Sequence, residues 1–362
     1  MKLKLLRAFW LSIAFSLCAA FAFAADYKNE YKLSVVPGAT SGWGKTATYF
    51  ADQVRKKTDG RINIKVYPSS QLLSDKQTSE FPMVRNGAID FALASTINWS
   101  PQIKELNLPA LPFFIGVEPD RYKAMDAIEA GKSGKMMVDA IEAKGVKILG
   151  WAENGFRELT SSKGPVASPE DLKGMKIRVV GSPIFIETFR ELGANPVNMN
   201  WGEATTGFQQ GVVDGQENPT NGINIPLKIW EYNQKHHSDW HYMIDPLLLG
   251  VNPKVWQNFS EEDQKILLEC AKEAEAYGKA LSRLGMDDGK SLEYLQSINM
   301  VPEVSDPYKY MEEMGMTITR LTPEQMENFQ KATQKVRDDW TQKIGPDLVK
   351  AAQEDMAAAR QK

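Results

Sequence analysis

The sequence predicts an α/β fold built from two similar units, and three observations lead to it. Short apolar strands alternate with amphipathic helices in the order βαβα, which favours a mostly parallel sheet with helices on both faces. The same order starts again near Gly155, so a second α/β unit accounts for the pattern better than one long sheet. A long helical segment follows, from Ser260 to about Ser297. At about 1.5 Å per residue this helix would be longer than one domain is wide, and we expect it to brace both units.

Hydrophobic spacing defines the elements of the first unit. Ala47, Phe50, Ala51 and Val54 recur every three or four residues, which is typical of an amphipathic helix. Pro82 falls inside a second helix, which it should kink or shorten. The predicted elements are strands at 32–36, 62–66, 88–94 and 146–150, helices at 45–57 and 77–86, a proline-rich loop at 101–112 and a helical region ending near 144.

The second unit opens with a helix-start signal. Ser168 is a capping residue, and Pro169 occupies the first helical position. Thr322 caps the last amphipathic helix in the same way. The other predicted elements are a strand at 176–180, a helix opening at 182, a helical segment between 197 and 211, and a polar, alanine-rich tail at 351–362.

The N-terminus has the three parts of a secretory signal peptide at residues 1–24. Three basic residues precede an apolar stretch at 9–23, and Ala22 and Ala24 form a small-residue cleavage site. Cleavage removes three positive charges and no negative one, so the formal charge changes from −3 to −6. We therefore expect an exported, periplasmic protein with no cytoplasmic nucleotide cofactor.

Composition excludes several classes of function. The 362 residues include 43 Lys+Arg and 46 Asp+Glu, a balance that gives no electrostatic footprint for nucleic acid. After cleavage Cys270 is the only cysteine, so a disulfide framework and a cysteine-rich zinc site are both excluded. Its apolar, helical setting indicates a buried side chain.

A glycine-rich loop at 38–46 lies where a phosphate-binding loop would lie, between a strand and a helix. The nucleotide-binding pattern requires glycine at position 39, where Ala39 stands, and Trp43 places bulk where amides would wrap a phosphate. We favour a loop that borders a ligand cleft, with Gly38 and Trp43 at its edge, and that offers backbone amides to an anion.

His236, His237 and His241 are the only histidines of the chain. Two histidines at helical spacing without a nearby acid and a third ligand rarely bind metal, so we expect no metal site. A secreted hydrolase or lyase remains an alternative, and a histidine base for it could come only from this group.

Arginines in apolar surroundings are the strongest candidates for ligand binding. Arg178 lies near the C-terminal end of a predicted strand, where open α/β sheets bind ligands, and its planar guanidinium matches a carboxylate. A structural salt bridge is about equally consistent with its pattern. Arg157 crosses the boundary between the units, and a solvated loop position is an equal alternative for it. The tryptophans in or beside loops at predicted strand ends are Trp43, Trp99, Trp151 and Trp201. Aromatic residues that line a cleft would account for them, although each alone is more often a core residue.

Several motifs resemble the substrate-binding proteins of tripartite ATP-independent periplasmic (TRAP) transporters, the DctP-like family. The most specific are the Lys-Gly-x-Lys-x-Arg run ending at Arg178 and the Asp-Gly-Gln-Glu-Asn-Pro run at 214–219. The others are KTDGR at 57–61, YPSSQL at 67–72, NGAID at 86–90 and GFR at 155–157.

The resemblance implies a two-lobed periplasmic binding protein with mixed sheets flanked by helices and a long helix bracing both lobes. Lobe I would comprise 25–154 and 243–283, and lobe II 155–242 and 284–362. It implies a receptor without enzymatic activity or cofactor that captures an organic acid between the lobes, as a monomer, and delivers it to the TRAP membrane subunits. A receptor of the ABC type is the alternative within binding proteins.

The same resemblance assigns roles to individual residues. Arg178 matches the arginine that forms a salt bridge with the ligand carboxylate, and Arg157 and Asn218 match residues near it. Gly38 and Ser95 stand where the best-known sialic-acid binders carry Asn and Glu, which argues against that ligand. The complete set of expected ligand-binding residues is Arg178, Arg157, Asn218, Trp43, Trp99, Ser95, Gly38 and Glu217.

Overall fold

The computed structural model describes residues 27–73 and 76–361. The predicted signal peptide at 1–24 lies outside the described residues. Within them, nine strands form one mixed sheet in the order β2-β1-β3-β8-β4-β7-β5-β6, and β9 pairs with β8. The strands are β1 Tyr31–Ser34, β2 Ile64–Tyr67, β3 Phe91–Ser95, β4 Lys147–Ser161, β5 Lys176–Val179, β6 Asn195–Asn198, β7 Gly215–Pro219, β8 His236–Val251 and β9 Thr317–Arg320.

Two long antiparallel strands, β4 and β8, join two flanks of mostly parallel strands, and we call β4 and β8 the crossing strands. A second run of βα units is present, but it begins at β5, since Gly155 lies inside β4, and both runs share one continuous sheet rather than forming separate ones. We call β1–β3 the first flank and β5–β7 the second flank. The arrangement places the C-terminal ends of β3 and β5 on opposite sides of the crossing strands.

The predicted strand at 146–150 continues to Ser161. Polar residues such as Glu153 and Arg157 interrupt its apolar pattern, which made this stretch resemble a loop. Both are buried because their charges are paired inside the protein. Gly155, at φ +118°, lies at an irregularity in the pairing with β8 and adopts a backbone conformation that favours glycine.

Helices cover both faces of the sheet. Those of the first 200 residues are α1 Gly42–Lys57, α2 Glu80–Arg85, α3 Thr96–Trp99, α4 Arg121–Ala130, α5 Lys132–Glu142 and α6 Pro183–Glu191. The later ones are α7 Trp201–Gln209, α8 Ile225–Leu227, α9 Pro253–Gln257, α10 Glu261–Arg283, α11 Lys290–Ser297, α12 Pro307–Glu313, α13 Pro323–Ala332, α14 Gln334–Ile344 and α15 Pro346–Arg360. Short 3-10 turns lie at Gln77–Ser79, Lys104–Asn107, Pro169–Leu172 and Ile229–Tyr232, and a π turn at Thr220–Asn224.

The predicted helix from 260 to 297 is two helices. The first, α10, ends at Arg283, because Gly285 and Gly289 adopt positive φ angles of 74° and 85° that end a right-handed helix. It still packs along β4 and α1, so it does lie across the crossing strands. Its Cys270 is buried, as expected.

The predicted tail at 351–362 is helical through Arg360 within the described residues. Its small and apolar side chains, including Leu348, Ala352 and Met356, are buried against α4 and α5. The alanines therefore allow close helix packing rather than marking a solvated tail. Among the described residues, no helix has the length and apolar character needed to cross a membrane.

Candidate ligand-binding site

A cavity lies between the two flanks, where β3 and β5 end and the crossing strands pass beneath. Its empty space is about 360 Å³ when the solvent at its mouth is counted, and about 30 Å³ of it can hold the centres of water-sized spheres. Its polar lining includes Arg178, Arg157, Asp245, Asn154, Asn218 and Ser95.

Arg178 is 2 % exposed and stands on β5 at the second flank. Its Nε donates to the carbonyl oxygen of Met199 at 2.9 Å, and Nη2 is buried without a hydrogen-bond partner in the described part of the chain. Its guanidinium lies 5.3 Å from the ring centre of Trp201. Burial lowers the pKa of Arg178 to about 10, so the group stays charged at neutral pH. The cavity therefore contains a desolvated cation with no acid paired to it among the described residues.

Arg157 is equally buried but is fully engaged within the protein. Its Nη2 donates to Glu217 Oε1 at 2.9 Å and to Asn218 Oδ1 at 3.0 Å, and Nε also donates to the Glu217 carboxylate. Nη1 donates to Asp245 Oδ2 at 3.0 Å. Burial acts to lower the pKa of Arg157, but the charges of Glu217 and Asp245 outweigh it and raise the pKa. Arg157 lies on the cavity wall chiefly as the centre of an ion-pair network.

Asn218 and Glu217 belong to this network. Asn218 lines the cavity, whereas Glu217 is 0 % exposed, is absent from the cavity wall and binds Arg157 from behind. The Tyr242 hydroxyl donates to Glu217 Oε2 at 2.7 Å and further fixes that carboxylate. Glu217 therefore holds Arg157 in place, whereas Asn218 lies where it can reach a ligand.

Ser95 lines the cavity at the end of β3 and donates its hydroxyl to Asp245 Oδ1. Asp245 lies on β8 and also accepts a hydrogen bond from Asn154 Nδ2 at 2.8 Å. The Oδ1 atom of Asn154 is buried without a partner among the described residues, and it packs against the backbone of Gly222. Asn154 thus fixes one oxygen of Asp245, while its own Oδ1 lies against the loop at Gly222.

The aromatic residues expected at the site separate into two groups. Trp43 lines the cavity at the start of α1, and its indole N–H donates to the Leu93 carbonyl. Trp99 does not line it. It is fully buried beneath the first flank, where its indole N–H donates to Glu80 Oε2 at 3.2 Å and its ring packs against Phe81.

Gly38 also lies outside the cavity wall, which Val36 and Pro37 form instead. Its carbonyl accepts the Ser41 hydroxyl at 2.7 Å, and Ser41 in turn caps α1. This glycine therefore shapes the loop at the cleft edge rather than contributing a surface to the cavity.

Sequence reasoning missed several residues of the cavity, namely Gln77, Asn98, Asn154, Asp245, Val180 and Ile223. Asn154 immediately precedes the GFR motif and could have been found by that position. Asp245 is a lone acid in the otherwise apolar stretch at 242–251, a signal that calls for an internal partner. Trp201 stands beside a predicted strand end, but only its position over Arg178 shows its place in the site.

Hydrogen bonds connect the flanks across the cavity opening. The backbone N–H of Trp201 donates to Gln77 Oε1 at 2.9 Å, and the hydroxyls of Ser100 and Ser182 lie 3.0 Å apart. Ser100 and Ser182 are both buried and neither lines the cavity. The two flanks are therefore in direct contact, and the cleft is closed.

The three histidines lie on β8 away from the cavity wall. His241 Nδ1 is hydrogen-bonded to Glu158 Oε1, and this carboxylate also accepts the backbone N–H groups of Trp240 and His241 at 2.8 and 2.9 Å. Between the paired positions 157/243 and 159/238, β8 carries four residues opposite one residue of β4. Glu158 fills that irregularity, so His241 has a structural partner.

Comparison with known proteins identifies the family. Residues 33–288 match the DctP family, described as bacterial extracellular solute-binding protein, family 7. The chain belongs to this family. It is a solute-binding receptor of the TRAP type, and proteins of the family are periplasmic.

Relatives and solved structures agree with this assignment. The 2,3-diketo-L-gulonate-binding periplasmic protein of Escherichia coli is 32% identical over 263 residues, which cover 73% of this chain and 78% of the relative. A TRAP periplasmic solute-binding protein from Ralstonia eutropha H16, with (S)-2-hydroxy-2-methyl-3-oxobutanoate bound, is 44% identical with a TM-score of 0.84, covering 92% of this chain and 100% of that one. Another from Polaromonas, bound to D-erythronate, is 26% identical with a TM-score of 0.77, covering 90% and 98%.

Proposed function

We propose that this receptor binds a small 2-hydroxy or 2-oxo monocarboxylic acid, without a chemical step, and passes it to the membrane subunits of a TRAP transporter. The observation that carries the proposal is the Arg178 guanidinium, which is buried in the cavity and lacks an acidic partner in the described part of the chain. A ligand carboxylate would supply that partner through a bidentate contact.

The size of the cavity supports a small acid. In the closed form only about 30 Å³ is open to the centres of water-sized spheres, so a small ligand would displace the wall least, and Trp43, Ile97, Val180 and Ile223 make much of that wall apolar. The protein from Ralstonia eutropha holds a five-carbon 2-hydroxy acid with a methyl branch. A branched, short-chain acid of that kind would fit both the guanidinium and the apolar wall.

We further propose that the lobes are residues 25–154 with 243–283 and residues 155–242 with 284–362, and that they move about β4 and β8. These two strands are long enough to run beneath both flanks. A carboxylate bridging Arg178 and the first flank would favour the closed form, because the contact is complete only once water is excluded. Residues 1–24 would be removed on export.

A ligand screen tests the ligand class directly. Purified protein would be titrated calorimetrically with (S)-2-acetolactate, D-erythronate, succinate and D-glucuronate. We expect the first to bind most tightly and to be recovered unchanged by chromatography. Because this β-keto acid decarboxylates slowly in water, a sample without protein is incubated in parallel, and conversion faster than in that sample would favour a hydrolase or lyase.

Arg178→Ala tests the residue that carries the proposal. Removing one partner of a buried charge pair costs on the order of 2–5 kcal/mol, so we expect affinity to fall roughly 30-fold or more. Arg178→Lys should also weaken binding, because an ammonium group cannot form the planar fork. Arg190→Ala is the matched control, since it removes an exposed arginine of the same flank. Unchanged affinity in Arg178→Ala would contradict the proposal.

A further inference from the structure

The charges buried around the cavity already cancel before any ligand enters. Arg157 and Arg178 contribute two positive charges, and Glu217 and Asp245 contribute two negative ones. All four residues are at most 4 % exposed. Among the described residues, the charged side chains on the cavity wall are those of Arg157, Arg178 and Asp245, and Glu217 lies behind Arg157.

A ligand carboxylate therefore brings a charge that this group does not balance. Arg178 would pair with it, but the Arg157 cation would then face both Glu217 and Asp245. A net negative charge enclosed in a closed, partly apolar cleft is strongly disfavoured, and protein groups in such sites respond by changing protonation. The structure offers two carboxyl groups that could do so.

The two carboxylates differ in how firmly their charge is held. Glu217 accepts hydrogen bonds from two nitrogens of the Arg157 guanidinium and from the Tyr242 hydroxyl. Asp245 has one guanidinium nitrogen, Arg157 Nη1, and otherwise only neutral donors. Asp245 also lies on the cavity wall, where it would face the incoming anion, whereas Glu217 does not.

Three strands of the sheet present groups to Asp245. These groups are Ser95 on β3, Asn154 and Arg157 on β4, and Glu217 on β7. Burial raises the pKa of Asp245 above its ordinary value, and Glu217 acts in the same direction, while Arg157, Asn154 and Ser95 oppose them. A second anion in the cavity would raise it further.

We propose that the receptor binds its organic anion together with one proton, and that Asp245 accepts this proton as the cleft closes. The proposal rests on the ligand class proposed above. The proton comes from the buffer acid and forms an O–H bond on a carboxylate oxygen of Asp245. Binding of the anion and the proton together therefore leaves the net charge of the cleft unchanged. The Ser95 hydroxyl, which now donates to Oδ1, can rotate and accept the new O–H.

Calorimetry in buffers of different ionisation enthalpy measures this proton directly. The titrant is the tightest-binding acid of the screen, which we expect to be (S)-2-acetolactate. A plot of observed heat against buffer ionisation enthalpy should have a slope corresponding to uptake of close to one proton per ligand. Affinity should accordingly fall by up to tenfold per pH unit as the pH rises from the Asp245 pKa of the free receptor towards the higher pKa of the complex, because the bound state holds the extra proton.

Asp245→Asn imitates the protonated side chain, so the binding that this variant shows should depend neither on the buffer nor on the pH. Glu80→Gln is the matched control. Glu80 is another buried carboxyl group, whose pKa burial raises to about 8, but it lies outside the cavity wall and should leave the slope unchanged.

Two results would overturn the inference. One is binding by the unmodified protein with heats that do not depend on the buffer. The other is an unchanged slope in Asp245→Asn. Failure of the proposed function would look different, because none of the acids would then bind in any buffer, or Arg178→Ala would bind them as tightly as the unmodified protein.

Discussion

Arg157 and Arg178 line the same cavity with almost the same exposure, 4 % and 2 %, yet their surroundings are opposite. Arg157, on the crossing strand β4, has two carboxylates and an amide around it. Arg178, on β5 of the second flank, has one carbonyl oxygen and an indole face. Arg157 is neutralised by carboxylates of the protein itself, whereas Arg178 is a buried cation that a ligand carboxylate can neutralise.

This difference shows that burial alone does not identify a binding residue. A buried charge with partners contributes to the native arrangement, whereas a buried charge without them costs stability until a ligand binds. The two roles predict opposite responses to the same kind of substitution.

The largest effect is expected from Arg157→Ala. The variant would leave Glu217 and Asp245 buried without their cation, and breaking such a network costs about 3–5 kcal/mol of unfolding free energy. Chemical denaturation monitored by tryptophan fluorescence would measure it. Arg157→Lys keeps the charge and should lose less. An unfolding free energy unchanged in Arg157→Ala would show that the network adds no stability.

Arg178→Met should have the opposite effect on the free protein. Methionine fills similar space beside Trp201 and removes the cost of an unpaired buried cation, so we expect stability to stay level or to rise by about 0.5–2 kcal/mol. Thermal denaturation without ligand measures this change, and the same scan with ligand should show no further shift. A loss of stability as large as that in Arg157→Ala would erase the distinction between the two arginines.

The sequence predicted the class of fold because it depends on local periodicity. The βαβα order, the amphipathic helix over 45–57 and the caps at Ser168 and Thr322 need only neighbouring residues to be read, and all three are present, although Ser168 caps a 3-10 turn. The helix boundary at Arg283 depended on the backbone angles of two glycines, which the sequence shows only as possible breaks.

The full length of the crossing strands could not be predicted from hydrophobic periodicity, because their buried polar residues find hydrogen-bond and ion-pair partners far along the chain. Glu153, for example, pairs with Arg283, which is 130 positions away. The site was predictable where a family motif covered it, as for Arg157, Arg178 and Asn218. Asp245 and Gln77 carry no motif, and only the closure of the two flanks brings them to the cavity.

Contacts that only connect the flanks should have the smallest effect, and Ser182→Ala removes two of them. The Ser182 hydroxyl lies 3.0 Å from the Ser100 hydroxyl and donates to Asn107 Oδ1 at 3.4 Å across the cleft, but it does not line the cavity, so the variant weakens closure without touching the ligand. Ser100 retains its bond to the Ile97 carbonyl at 2.9 Å.

Losing the Ser100 contact costs about 1 kcal/mol, and the longer bond to Asn107 adds little, so we expect a roughly 5-fold loss of ligand affinity in calorimetry. Ser238→Ala is the control, because it removes an equally buried hydroxyl whose bond to the Val166 carbonyl does not cross the cleft. This control should lower stability and leave affinity unchanged. Equal losses of affinity in both variants would mean that the serine contact acts through general stability and not through closure over Arg178.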